Sequence, residues 1–127
     1  MTTTLYEALG GEAGVQRLVD RFYELKDTLP EAYASRRLHP ESLAGSNQKL
    51  FMFLSGWLGG PQLFIEAFGH PRLRARHLPY QIGIAERDAW MLCMTQTLQE
   101  QVADDQLRAA LLEAFAGLAD HMRNTAE

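Results

Sequence analysis

Cysteine is almost missing from this chain, because Cys93 is the only one among 127 residues. A lone cysteine forms no intrachain disulfide, which excludes the disulfide-stapled secreted domains and fits a reducing compartment. Long apolar runs are missing too, since no stretch approaches the ~20 residues of a membrane-spanning helix. The polar first residues do not have the pattern of a signal peptide. We therefore expect a cytoplasmic protein with no membrane partner.

Positive charge is scarce as well. The chain has 12 lysines and arginines against 16 acidic residues, which gives a net charge of −4. Nucleic-acid binding needs a basic surface, so nucleic acid is not expected as a partner. The length is sufficient for one domain with a real hydrophobic core, and we predict a single domain over residues 1–127.

The alternation of apolar and polar residues that is typical of β-strands is also lacking, whereas apolar residues recur at helical spacing. This pattern predicts an all-α domain of five or six helices with an irregular region between Gly59 and Pro71. The predicted helical stretches are a short helix from the Thr4 cap through Leu9, a helix with the apolar stripe Val15, Leu18, Val19, Phe22 and Leu25, a piece near 31–38, and helices near 46–58, 84–101 and 104–124.

The segment around His77 is the most informative part of the sequence. Pro71 can serve as the first residue of a short helix, and Pro79 cannot continue one, so His77 is held on a sharply bounded element. A neutral imidazole is a strong iron ligand, and guanidinium groups suit carboxylates. An iron with carboxylates is what haem and its propionates offer. The alternative is a surface histidine beside a solvated basic face formed by Arg72, Arg74 and Arg76.

Three further side chains could place polar groups against a ligand. Tyr23 lies at the edge of the apolar stripe, where its phenol could donate a hydrogen bond, and the indole N–H of Trp90 is a donor only. His39 precedes Pro40 at a corner, where its imidazole could stand at the mouth of a cavity and bond Tyr23. The alternatives are a core tyrosine, a core tryptophan and an exposed loop histidine.

The helix near 46–58 and the His77 segment carry candidate cofactor contacts. Apolar side chains on this helix would form a wall for a flat macrocycle, Lys49 could reach a propionate or remain solvated, and Ser46 would stand near the ligand entrance. Cys93 and Met94 are interpreted as packing residues. The candidate cofactor contacts are Ser46, Lys49, Leu50, Phe53, Leu54, Leu73, Arg76, His77 and Tyr80.

Over nearly its whole length the chain resembles the group II truncated haemoglobins, the 2-over-2 helical globins. The resemblance implies a truncated globin-like sandwich of helices around haem b. The segments that carry it are LYEALGG (5–11), RFY (21–23), LAG (43–45), MFL (52–54), GGP (59–61), GHPRLRARHLPY (69–80) and ERDAW (86–90).

The resemblance also implies roles for individual residues. His77 matches the proximal haem ligand of the family, and Tyr23 and Trp90 match its distal hydrogen-bond donors. His39 falls at a corner where the family shows tyrosine, phenylalanine or histidine. Ser46 falls where many members carry alanine. Lys49 and Arg76 match positions that often meet the propionates.

The expected function is reversible binding of dioxygen, nitric oxide and carbon monoxide at a five-coordinate iron. Several donors on one ligand predict slow oxygen release, which favours oxygen and nitric oxide redox chemistry over bulk oxygen transport. That chemistry would be nitric oxide dioxygenase-like or peroxidase-like, with an unknown electron donor and a monomer or weak homodimer.

Two alternatives belong to other classes. The apolar face of residues 50–58 could bind a partner protein in a cofactor-free helical module. A non-haem metal site could use histidines, although none of them has the i, i+4 ligand spacing; the candidates are His39, His70, His77 and His121.

Overall fold

The computed structural model describes residues 3–126, which form eight α-helices and no β-strand within that range. A 3₁₀ turn at Pro30–Ala32 leads into α3. The prediction of an all-α fold is therefore confirmed. The helices are α1 (Leu5–Ala8), α2 (Gly11–Thr28), α3 (Tyr33–Arg36), α4 (Ala44–Trp57), α5 (Leu63–Phe68), α6 (Leu73–His77), α7 (Ile84–Gln101) and α8 (Asp105–His121).

The core is built on the predicted stripe of α2. This helix packs on α4 and α7, and α7 packs on α8. Burial of the apolar stripe supplies the main driving force for this arrangement, since helical stability in proteins comes largely from tertiary packing. The core side chains with no exposed surface include Val15, Val19, Phe22, Leu54, Cys93, Met94, Leu98, Leu111 and Phe115.

The corner between α1 and α2 depends on glycine. Gly10 and Gly11 have φ of +104° and +69°, a region that glycine adopts at little cost. A Cβ at Gly14 would lie 1.8 Å from the carbonyl oxygen of Leu9, so the two helices approach to within backbone contact. The predicted cap is confirmed, since Thr4 Oγ1 accepts from the Glu7 amide over 3.1 Å.

The boundaries differ from the sequence prediction at two places near His77. Helix α5 occupies part of the stretch that we expected to be irregular, since six residues with one buried side chain, Phe64, are too few to show a period. Helix α6 begins at Leu73 and not at Pro71, because Arg72 has φ of +44° and interrupts helical geometry. Pro71 is therefore not the first helical residue.

The last helix also ends earlier than predicted. Asp104 caps it as expected, because its carboxylate accepts from the Leu107 amide over 2.8 Å. Helix α8 stops at His121, and Asn124 lies beyond it and bonds Ile82. None of the helices in residues 3–126 has the length and apolarity needed to cross a membrane. The predicted single domain also includes Met1, Thr2 and Glu127, which lie outside the described residues, and it stays a prediction.

Candidate functional site

His77 is the last residue of α6, and its ring is fixed by a bond within that helix. Nδ1 lies 2.6 Å from the carbonyl oxygen of Leu73. A carbonyl only accepts, so Nδ1 carries the hydrogen and Nε2 keeps its lone pair for a ligand. Metal-binding histidines almost always donate their other ring N–H in this way, often to a backbone carbonyl. The half-buried imidazole therefore presents Nε2 in the way that metal-binding histidines do.

The segment after His77 is held by Asn124. The side-chain amide donates to the carbonyls of His77 and Tyr80 over 3.2 and 2.8 Å. Its oxygen accepts from the Ile82 amide over 2.9 Å. The sequence prediction missed this clamp because it placed Asn124 inside the last helix.

The basic side chains beside His77 have no carboxylate partner among residues 3–126. Arg74 donates to the carbonyls of His121 and Arg123, so it is occupied by the end of α8. Arg76 donates to the Pro71 carbonyl, and its guanidinium lies 5.2 Å from the Phe64 ring centre. Arg72 is exposed and unpaired, as is Lys49 on α4. These cations are the expected partners of the carboxylates of a cofactor.

Tyr23 lies on α2 with 8% of its surface exposed. Its hydroxyl donates to the backbone carbonyl of Ser46 over 3.3 Å. Burial raises the pKa of Tyr23, so the phenol stays protonated and can donate at any physiological pH. The ring contacts Phe22 and His39 edge to face, with centroids 5.1 and 5.9 Å away.

Trp90 lies half-buried on α7 against two core rings. Its ring centre is 5.1 Å from that of Phe22 and 6.0 Å from that of Phe115. Among the described residues the indole N–H has no hydrogen-bond acceptor. This N–H is not fully buried, and it can donate to an acceptor that approaches it.

His39 is half-buried and is bound by two side chains. Its Nδ1 lies 3.1 Å from Ser46 Oγ, and its Nε2 lies 3.0 Å from Lys26 Nζ. The expected bond to the Tyr23 hydroxyl is not formed, since the two rings meet edge to face. Burial, and after it the positive charges of Lys26, Arg36 and His77, lowers the pKa of His39 to about 3. The imidazole therefore stays neutral at physiological pH, and it lies within electrostatic reach of His77.

Lys26 is a second residue that sequence reasoning missed. Its side chain is only 2% exposed, and its Nζ lies 4.7 and 5.1 Å from the ring centres of Phe22 and Tyr23. It has no carboxylate partner in the described part of the chain. Burial is the main cause that lowers its pKa to about 7. The signal was present, since residue 26 lies one helical turn after Phe22 on the buried stripe.

The apolar side chains of α4 that were predicted to contact a cofactor differ in burial. Leu50 and Phe53 are half-buried, as is Ser46 near Tyr23, whereas Leu54 is completely buried. Four apolar side chains close to His77 in the sequence are exposed, and exposed apolar surface often marks a ligand-binding site. They are Phe68, Leu78, Tyr80 and Ile84, each more than 40% exposed.

The other histidines give no support to a non-haem metal site. His70 Nδ1 accepts from the Arg72 amide, and His121 is exposed at the end of α8. No group of three or more histidine, cysteine, aspartate or glutamate side chains within residues 3–126 is placed to hold a metal ion. Cys93 and Met94 are completely buried and pack in the core, as predicted.

Comparison with known proteins decides the family, because the model of the bacterial-like globins matches residues 4–124. The chain belongs to the bacterial-like globin family, within the group II truncated haemoglobins. It is 38% identical to the group 2 truncated haemoglobin YjbI of Bacillus subtilis strain 168 over 122 residues, which are 96% of this chain and 89% of that protein.

Solved structures give the same result for this globin. The group II 2-on-2 haemoglobin of the plant pathogen Agrobacterium tumefaciens is 49% identical with a TM-score of 0.93, and the match covers 97% of this chain and 95% of that one. The cold-adapted truncated haemoglobin of the Antarctic marine bacterium Pseudoalteromonas haloplanktis TAC125 is 46% identical with a TM-score of 0.94 and coverage of 97% and 99%. The truncated 2-over-2 globin fold is thereby confirmed.

Family membership brings a haem cofactor with its iron and the binding of oxygen. The residues of this globin fit that group, because His77 offers Nε2, nearby cations lack carboxylates and an apolar surface flanks the imidazole. The cofactor-free interaction module is therefore not supported.

Proposed function

We propose that this globin binds haem b through Nε2 of His77 and holds dioxygen, nitric oxide or carbon monoxide on the opposite face of the haem. The haem iron supplies one open coordination position for a diatomic ligand. The single observation that carries the proposal is the His77 Nδ1 bond to Leu73, which orients the imidazole and fixes its tautomer. With His77 as its one protein ligand, the iron would be five-coordinate and would leave one position for a diatomic ligand.

The cofactor is held by its carboxylates and by its apolar faces. Lys49, Arg72 and Arg76 have no carboxylate partner among the described residues and would bind the propionates. Arg74 contributes less, since carbonyls at the end of α8 already occupy it. The apolar faces meet the surface around His77 and the α4 wall; the contacts proposed are Ser46, Leu50, Phe53, Leu54, Leu73 and Tyr80.

Two donors set how tightly a diatomic ligand is held. The Tyr23 phenol stays protonated, and its present acceptor is only the Ser46 carbonyl at the long distance of 3.3 Å. The Trp90 indole N–H has no acceptor among the described residues and would be the second donor. A donor to a ligand that carries negative charge is worth roughly 1.5–3 kcal/mol, about one to two decades in dissociation rate.

Slow oxygen release makes this globin a poor bulk carrier, so we infer a role in oxygen and nitric oxide redox chemistry. The reaction would be nitric oxide dioxygenase-like or peroxidase-like, with electrons from a donor not yet identified. We place the protein in the cytoplasm as a monomer or weak homodimer.

An absorption spectrum of the ferric, ferrous, oxygenated and carbon monoxide forms tests the cofactor and its ligand together. We expect the purified protein to take up hemin and His77→Ala to lose the five-coordinate ferrous spectrum. His121→Ala is the matched control, since its exposed imidazole lies outside the site. A wild type that stays colourless with hemin, or an unchanged spectrum in His77→Ala, would contradict the proposal.

The physiological role needs a second measurement. Rapid mixing of the oxygenated protein with nitric oxide should give stoichiometric nitrate and the ferric protein, faster than oxygen dissociates. Oxygen release that is fast and unchanged in Tyr23→Phe would favour oxygen delivery instead.

A further inference from the structure

Five aromatic side chains form a continuous row from the proposed ligand-holding residues to the protein surface. Tyr23 contacts Phe22 with ring centres 5.1 Å apart, and Phe22 contacts Trp90 at the same distance. The row continues through Phe115, whose ring centre lies 6.0 Å from that of Trp90 and 5.2 Å from that of Trp57. Trp57 is 37% exposed, so the row ends in an indole that an external molecule can touch.

The rings of this row differ in how readily they lose an electron. Tryptophan and tyrosine are oxidised far more easily than phenylalanine. The chain has two tryptophans, Trp57 and Trp90, and the completely buried ring of Phe115 contacts both of them. Phe115 is too hard to oxidise and serves as a bridge for electron tunnelling. An electron can therefore pass from the surface indole to the indole of the haem pocket in one short step.

The surroundings of Trp57 indicate which electron donor it suits. Residues 50–65 contain no charged side chain and no histidine. The indole stacks on Phe53, with ring centres 6.2 Å apart and planes inclined by 26°, which fixes its orientation at the end of α4. Helix α5 packs on α4 and exposes Ile65. An uncharged aromatic molecule can stack on the exposed indole without stripping water from a charge.

We propose that Trp57 is a surface oxidation site, at which an uncharged phenol or hydroquinone too large for the haem pocket gives electrons to the reduction of hydrogen peroxide at the haem. The electrons reach the pocket through Phe115 and Trp90. This inference rests on the proposed function and deepens its peroxidase-like reaction, because it gives the chemical class of the donor and the place where the donor reacts.

The electrons and protons of this reaction balance. Hydrogen peroxide takes up two electrons and two protons and leaves as two water molecules. Each phenol gives one electron and one proton and leaves as a phenoxyl radical, so two phenols are consumed for each peroxide. Trp57 passes one electron inward at a time and takes its replacement from the donor, so the indole is unchanged at the end of each step.

Trapping of the radical is the direct test. We would mix the haem-loaded ferric protein with hydrogen peroxide and a nitroso spin trap and locate the adduct by peptide mass spectrometry. Wild type should carry the adduct on Trp57, Trp57→Phe should lose it, and Trp57→Tyr should regain an adduct at residue 57. Trp90→Phe should carry less of it for each peroxide consumed. Tyr33→Phe is the matched control and should keep the wild-type adduct, since Tyr33 is 69% exposed on α3 and contacts no other ring among the described residues.

Steady-state oxidation of two forms of one donor tests the site by size. Hydroquinone coupled directly to dextran is too bulky for the haem pocket, whereas free hydroquinone can enter it. Trp57→Phe should slow the oxidation of the dextran-bound donor about tenfold more than that of the free donor. Trp57→Tyr should recover most of the lost rate, because its phenol can also be oxidised.

Three results would each overturn the inference. They are an unmodified Trp57 in a wild type that consumes hydrogen peroxide, an undiminished Trp57 adduct in Trp90→Phe, and equal slowing of both donors in Trp57→Phe. If Trp57→Phe does not fold, the wild-type adduct and Trp57→Tyr give the same decision.

Failure of the proposed function looks different. A wild type that binds no haem contradicts the proposed function itself, and a haem-loaded protein that leaves hydrogen peroxide intact contradicts the peroxidase-like reaction together with this inference. A haem-loaded protein that consumes peroxide without oxidising Trp57 contradicts this inference alone.

Discussion

Asn124 holds the backbone of His77: its side-chain Nδ2 donates to the His77 carbonyl over 3.2 Å. The same amide group bonds Tyr80 and Ile82, so one side chain fixes the turn that follows the haem ligand. The orientation of the imidazole thus depends on α6 before it, through Leu73, and on the end of α8 after it.

Asn124→Ala should weaken haem retention. Each lost hydrogen bond costs about 0.5–1.5 kcal/mol, and 1.4 kcal/mol in haem affinity is tenfold. We expect hemin transfer to an apoglobin acceptor to be about tenfold faster, together with a changed iron–histidine stretching band. Asn124→Asp separates the two halves of the clamp, since it keeps the acceptor for Ile82 and loses both donors. Retention equal to wild type in both variants would show that the clamp is unimportant.

Tyr23→Phe should speed dioxygen release by about one to two decades, since the ring remains and only the donor is lost. Stopped-flow displacement of dioxygen by carbon monoxide measures this rate. Tyr33→Phe is the control, because that ring is 69% exposed on α3. If both variants released dioxygen at the wild-type rate, Tyr23 would be a core residue only.

Lys26→Met should stabilise the fold most at low pH. Burial lowers the pKa of Lys26 from the 10.5 of an exposed lysine to about 7 in the folded protein, so folding disfavours the charged form. Below pH about 7 the free energy of unfolding of the wild type is therefore lowered by the full cost of burying the ammonium. It recovers as the pH rises toward 10.5 and the lysine loses its proton. The advantage of Lys26→Met should be a few kcal/mol at pH about 6 and should shrink by about half at pH about 9.

Urea unfolding of the haem-loaded protein at several pH values measures this difference. Arg17→Met is the natural control, because Arg17 is exposed on the same helix and removal of its charge relieves no burial. A difference between wild type and Lys26→Met that does not change with pH would mean that the ammonium is not a source of instability.

Gly14→Ala and Gly117→Ala should change stability in opposite directions. A methyl group at residue 14 would lie 1.8 Å from the Leu9 carbonyl oxygen, which forces α1 away from α2 and costs a few kcal/mol. At Gly117, on α8, nothing lies within 4 Å of the added atom, so alanine should stabilise by roughly 0.5–1 kcal/mol. Thermal unfolding of the two variants gives the comparison, and equal melting temperatures would contradict it.

Helical spacing was sufficient to predict the core of the fold. The stripe of α2 is buried from Val15 to Leu25, because period 3.6 alone decides which face meets the rest of the protein. Helix α5 was missed because six residues show less than two periods. The start of α6 was misplaced because the left-handed conformation of Arg72 is a tertiary effect that no residue preference indicates.

For the site, the sequence identified His77, Tyr23, Trp90 and His39, but it did not predict their hydrogen bonds. Leu73 lies four residues before His77, so helical geometry alone could have predicted the bond between its carbonyl and the imidazole. The contact of Lys26 with His39 could not be predicted in this way, because it joins residues 13 positions apart in different elements. A charged residue next to an apolar stripe is normally expected at the solvent-exposed edge of the helix. Only the packing of the folded protein shows that Lys26 is buried.

Trp57 and Trp90 share a neighbour, since both rings contact Phe115, with centroids 5.2 and 6.0 Å away. The chain has no other tryptophan. Porphyrins absorb in the range where indoles emit, and excitation energy passes between such groups over tens of ångströms. The intrinsic fluorescence of this globin would therefore fall in proportion to cofactor uptake, so the emission of its two tryptophans measures how much of the protein carries haem.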